Sequence, residues 1–170
     1  MDSLIEHFRR MGRYNSGANA ALYDACAQIS EEERRRHRKA FFVSIHGTLN
    51  HIMVGDRIWM ARFAGETAPS TGLDAVVHED FDELRRAREG EDARIERFVD
   101  RLDASFLAGS IAYVNNEGRR FVDPVPLLLA HFFNHQTHHR GQVHDMLSQT
   151  GTPTPVLDLH RILRPGPVAP

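Results

Sequence analysis

Apolar residues recur along most of this chain at steps of three and four, interrupted by short stretches rich in glycine and proline. In residues 3 to 29, Leu4, Phe8, Met11, Ala18, Leu22 and Ile29 fall at such steps or their sums, which predicts a first long helix. Ser30 followed by Glu33 resembles a capping box, with Glu31 and Glu32 in a favourable first turn. A second helical region opens there, with Glu31–Arg38 as a separate short turn at its start. It continues through AFFVSIHGTLNHIMVGDRIWMARF to Phe63. The stretch GETAPSTGLDAVVHED reads as a long loop with Gly65, Pro69 and Gly72 as breakers. A third helix is expected from Asp80 to Leu107, with Phe81, Leu84, Ile95, Phe98, Leu102 and Phe106 on its inner side. Its middle, RRAREGEDAR, has no apolar stripe and is expected to be a solvated face.

In SIAYVNNEGRRFV, the runs IAYV and RRFV flank the turn residues Asn115, Asn116 and Gly118, which predicts a small hairpin. Pro124 and Pro126 open a fourth helix, expected from Val125 to Gln149 and stopped by Gly151. One more short amphipathic piece, VLDLHRIL, lies in the proline-bracketed tail. There is no internal repeat and no linker, so residues 1–170 are expected to form one domain. Four long helices with one long crossover and a hairpin predict an all-α antiparallel four-helix bundle.

Composition narrows the function classes. At 170 residues and 41% hydrophobic content the chain can bury a substantial core. A net charge of −2 supplies no electrostatic footprint for nucleic acid, and none is expected as a partner. No window approaches about 18 uninterrupted apolar residues, so no membrane span is expected. The amino terminus, MDSLIEHFRRMGRYNSG, lacks the apolar core of a signal peptide. The single cysteine, Cys26, forms no internal disulfide and fits a reducing compartment. A cytoplasmic protein is the expectation.

Candidate chemistry concentrates in HFFNHQTHHRGQVHD, residues 131 to 145, which holds five of eleven histidines. At about 100° per residue, with His131 as zero, the apolar stripe of the fourth helix centres near 90°. His139 falls at about 80° and His135 at about 40°, both on the core side. His131 and His138 sit near its edge, and His144 at about 220°, towards solvent. His135 and His139 are thus an i, i+4 pair that can reach one metal ion, or two histidines separately satisfied in a helical interior. In the second helical region Asp56 falls within the broad apolar face, an odd place for an unpaired carboxylate. His51 lies at its flank beside Ser44, Gly47, Thr48 and Gly55, whose small side chains permit close approach of a neighbouring helix. Periodicity alone ranks Asp56 above His51 as the inward polar group.

The segments GTLNHIMVGDRIWMARF and FFNHQTHHRGQVHDMLSQTG together resemble the DinB-like (DinB/YfiT) family of helical-bundle metalloproteins. The likeness covers most of the chain, including the RYN…AN element at Tyr14, Asn15 and Asn19 and the ending TPTPVLDLHRIL. It implies up-down-down-up connectivity. It also implies that His51, His135 and His139 bind one divalent metal, with nickel or zinc expected first and iron or manganese also admissible. Gly17 departs from the family, where a tryptophan often stands, which bears on the shape of the pocket wall or a contact there rather than on the metal site.

Around such a centre, Asp56 is expected either to orient a ligand from the second shell or to pair with an arginine such as Arg140. His138 lines the mouth or is exposed, Arg140 binds an anionic group or is structural, Gln142 is placed to hydrogen-bond an imidazole, and Tyr14 and Asn15 could add polar contacts. Three neutral ligands leave the metal its full charge, suited to activating water or acting as a Lewis acid. Relatives imply a metal-dependent transferase or hydrolase using a low-molecular-weight thiol such as bacillithiol or mycothiol, or metal-bound water. The alternative is a non-catalytic metal-binding stress-response protein acting as a homodimer.

Overall fold

The computed structural model of the chain describes residues 3–115, 117–164 and 166. Four long helices make up most of it: α1 (Leu4–Ala27), α3 (Ile45–Phe63), α4 (Phe81–Asp100) and α6 (Val125–Ser148). Between them lie the single turns α2 (Glu31–Arg35) and α5 (Ala104–Leu107) and the strands β1 (Ser110–Val114) and β2 (Arg120–Pro124); α7 (Leu159–Ile162) follows. The strands pair antiparallel, with Ala112 opposite Val122. Asn116, expected in their turn, lies outside the described residues. Pro124 caps α6, and the chain leaves that helix through Gly151 at φ 77°, a left-handed position that favours glycine.

Two helices end earlier than their apolar periodicity suggests. The second helical region is not continuous after Arg35, and residues 36–44 form an irregular turn. Val43 has φ 68°, a strained conformation for a β-branched residue. It is held by local hydrogen bonds: Val43 N–H donates to Ala40 O at 2.9 Å, and Arg38 N–H to Val43 O at 2.7 Å. Gly47 accommodates the turn, because a Cβ there would collide with the Phe42 carbonyl. Ser44 then caps α3 by accepting from Gly47 N–H at 3.0 Å. The capping box at Ser30 is half made. Its Oγ accepts from Glu33 N–H, but the Glu33 carboxylate turns to Arg36 and Arg38.

The third long helix stops at Asp100 instead of Leu107. The Asp103 side chain accepts from Phe106 N–H at 2.7 Å, so it starts a new turn, although Leu102 stays buried.

Helix α1 packs against α4 and α6, and α3 packs against the same two. Their apolar faces form two clusters. One gathers Leu22, Ile45, Met53, Leu84 and Val143; the other gathers Phe8, Met60, Ile95, Leu129 and Phe132. Along α1 and α6 the chain passes from the second cluster to the first, and along α3 and α4 it passes the opposite way.

Between the clusters lies a closed polar ring that draws on all four long helices. Arg88 and Gln136 both donate to the Asp56 carboxylate. Arg140 donates to Gln136 Oε1 and to the side-chain oxygens of Asn15 and Asn19. Those two amides donate to Asp92 Oδ1 at 2.9 Å, and Arg88 Nη2 lies 2.9 Å from the same oxygen. The RRAREGEDAR segment is therefore not a fully solvated face: Arg88, Glu91 and Asp92 are buried. A buried guanidinium is tolerable because carboxylates flank it on two sides.

The tail folds back on α1. A Cβ on Gly17 would lie 2.6 Å from Ile162 Cγ2, so α7 occupies the space a larger residue would need. Among the described residues no helix is long and apolar enough to cross a membrane.

Candidate metal centre

The polar ring fixes the rotation of α6. Gln136 and Arg140 point into it and are 0% and 2% exposed. Their sequence neighbours His135 and His139 consequently face α3 one step around the helix. There His51 Nε2 lies 3.1 Å from His135 Nε2 and 3.1 Å from His139 Nε2. These three side chains form the one group of metal-capable residues found among the described residues. Gly55, one turn after His51, makes the approach possible: a Cβ there would lie 2.9 Å from His135 Cε1.

Hydrogen bonds determine which ring nitrogens are available. His51 Nδ1 is 2.7 Å from the Leu73 carbonyl, which can only accept, so Nδ1 carries the proton. His139 Nδ1 likewise donates to Gln142 Oε1 at 2.7 Å. Both Nε2 atoms are then bare lone pairs facing each other at hydrogen-bond distance with no proton between them. Such an arrangement calls for a cation. Imidazoles bound at the usual Zn–N length of about 2.0–2.1 Å, with angles between octahedral and tetrahedral, would stand about 2.9–3.4 Å apart. The residues fit a divalent ion.

Burial keeps the ligands neutral. It pushes His135 down to about 3, helped by repulsion from His139 and His51. It pushes His139 down to about 4 against the opposing effect of its hydrogen bond to Gln142, and it lowers His51 against that of its hydrogen bond to Leu73. Three uncharged imidazoles at neutral pH need lose no proton to bind a metal. In metal-free protein the same shifts set a pH dependence. As pH falls below the ordinary histidine value of 6.5, the unfolded chain takes up protons that folded His135 refuses. Stability is therefore full above that value and declines as pH falls towards about 3. Denaturant midpoints of chelator-treated protein across this window should fall with pH, and should fall less in His135→Ala; equal slopes would contradict the assignment.

Two elements outside the histidine-rich stretch complete the surroundings. Phe42, from the strained turn before α3, stacks on His51 with ring centroids 3.6 Å apart. The crossover between α3 and α4 is tied down by the Leu73 carbonyl and by Asn50, whose Oδ1 accepts from Val77 and His78 N–H. His51 and His135 also line a cavity of about 350 Å³ with Ile58, Trp59, Leu73 and His131.

The other candidate residues divide. Gln142 is at the centre through His139. His138 is exposed, with its ring centroid 4.8 Å from that of His139, and lies outside the cavity lining. Asp56 is fully buried but bonds to Arg88 and Gln136, with no hydrogen bond to a candidate ligand. Its arginine is Arg88, not Arg140, because Arg140 is taken by Asn15, Asn19 and Gln136. Tyr14 donates to the Leu157 carbonyl and lies under Arg140, away from the histidines. His144 does not simply face solvent; the tail half-covers it, and its Nε2 is 3.1 Å from Pro155 O. Cys26 is buried with its thiol pushed up to about 12, so it is no candidate nucleophile.

Protein DinB of Bacillus subtilis (strain 168) is 26% identical over 146 residues, covering 84% of this chain and 85% of that protein. The family model described as "DinB family" matches residues 4–166, a span that takes in the three histidines, the polar ring and the returning tail. With nearly every described residue inside that match, the chain belongs to the DinB family.

Proposed function

We propose that this chain is a single-domain, up-down-down-up four-helix bundle whose His51, His135 and His139 hold one divalent metal ion for catalysis. The reversal in the order of the two apolar clusters along α1, α3, α4 and α6 supports the connectivity. The observation that carries the function is the cavity of about 350 Å³ against His51 and His135. A closed structural site would have a fourth protein ligand; among the described residues the group has three. A bound divalent ion would supply Lewis acidity, lowering the pKa of a thiol or water that reaches it.

The chain's own residues perform the rest. Leu73 and Gln142 hold two imidazoles in the metal-binding tautomer, and Phe42 shields one face of His51 from water. Ile58, Trp59 and Leu73 give the cavity apolar walls that orient a small molecule. With Cys26 sealed in the core, any attacking thiol comes from outside. The reaction class is transfer of a low-molecular-weight thiol to an electrophile, or hydrolysis at the same centre. The test is turnover of an electrophile across a panel of such thiols and with water alone, by metal-loaded and chelator-treated protein. Metal-dependent turnover absent in His51→Ala is expected; metal-independent turnover, or none across the panel, would contradict the catalytic reading.

A further inference from the structure

The cavity beside the histidines continues outward. A second cavity of about 680 Å³ shares Ile58, Arg62 and Asn115 with it and runs between residues 65–72 of the crossover and strand β1. Arg62 stands where the two meet. Its guanidinium lies over the Trp59 ring at 4.6 Å and over the Tyr113 ring at 4.7 Å, and Nη2 donates to the Val114 carbonyl at 2.9 Å. Two aromatic faces and a backbone acceptor thus hold it in one place.

This cation has no ion-pair partner among the described residues. The acidic residues bordering the cleft are engaged elsewhere: Glu66 lies 3.6 Å from Arg94, and Glu117 lies 3.3 Å from Arg119. Arg62 is half-buried, so its charge is partly stripped of water without a carboxylate in return. A guanidinium carries five N–H donors, and the one hydrogen bond given to Val114 leaves most of the fork to another acceptor. A purely structural role, tying α3 to the hairpin, would account for the carbonyl contact but not for a half-buried guanidinium that faces the cleft and pairs with none of its carboxylates.

We propose that Arg62 is the specificity-determining residue of this cleft, binding the carboxylate of a planar organic acid whose body lies against Trp59 and whose other end points to the histidines. The inference rests on the reading of the cavity as a substrate site and adds the substrate's chemical class. A carboxylate matches the guanidinium fork, and the rings supply a flat apolar wall.

Trp59 is the chain's single tryptophan, so its emission reports on this cleft without requiring turnover. The experiment titrates benzoate, and its neutral isostere benzamide, into chelator-treated and zinc-loaded protein. Benzoate is expected to change Trp59 emission saturably in both forms and to bind about tenfold or more tightly than benzamide, as fits one charge-assisted hydrogen-bond pair. Arg62→Gln should erase that preference, so that benzoate and benzamide bind the variant alike. Arg62→Lys, which keeps the charge without the fork, should retain part of it and serves as the comparison if Arg62→Gln does not fold. Equal binding of the two probes, no saturable response to benzoate, or a preference unchanged in the arginine variants would overturn the proposal. Because metal-free protein is titrated too, failure of metal binding leaves this test intact. A benzoate response confined to zinc-loaded protein and insensitive to Arg62 would place the ligand on the metal, overturning this inference alone.

Discussion

Asp56→Ala is expected to destabilise the protein by about 3–5 kcal/mol, the usual consequence of removing one partner of a buried ion pair. Asp56 is 0% exposed and Arg88 is 2% exposed. Deleting the carboxylate leaves the guanidinium facing a gap, with Asp92 on one side only, and removes the acceptor of Gln136. Burial pushes the Asp56 carboxyl up to about 7 against the pull of Arg88. Arg88 donates to one of its oxygens and Gln136 to the other, an arrangement that favours the ionised form. A domain of this size commonly has only about 5–15 kcal/mol of total stability, so the loss should be plain in urea denaturation. Glu117→Ala, which breaks the exposed pair with Arg119, should change stability by less than about 1 kcal/mol. If Asp56→Ala costs no more than that control, the ring does not hold the helices together as described here.

The same ring accounts for what could and could not be read from the sequence. Elements bounded by local chemistry were legible: Pro124 and Gly151 mark the two ends of α6, and the turn residues mark the hairpin. Helical phase on α6 alone brought His135 and His139 to the inner side, because one apolar stripe dominates that helix. Elements decided by distant partners were hidden. RRAREGEDAR looks solvated because burial of Arg88 and Asp92 depends on carboxylate and amide groups from two other helices, which leave no apolar periodicity within that segment. Asp56 could be recognised as inward, yet its partner could not be chosen between arginines. His51 and Asp56 are both buried on α3 but face different things, the histidine pair and the ring. The breaks at residues 36–44 and 101–103 come from a strained valine and a capping aspartate inside stretches with good apolar spacing.

His135→Ala should carry the largest functional effect. The imidazole supplies one of three convergent Nε2 atoms, it is seated against Gly55, and no carboxylate or thiol within the group can replace it. Two histidines with an i, i+88 relation across α3 and α6 would remain, and with them only a weak two-point site. His144→Ala is the matched control, since that ring bonds to Pro155 O and lies outside the group. Phe42 and the Leu73 carbonyl still position His51 in either variant, so a difference between them reports on coordination. The decisive measurement is the metal content of purified wild-type, His135→Ala and His144→Ala protein by elemental analysis after equilibration with a divalent metal and removal of excess. The account predicts about one ion per chain in wild type and in His144→Ala, and none above background in His135→Ala; wild-type metal content in His135→Ala would contradict it.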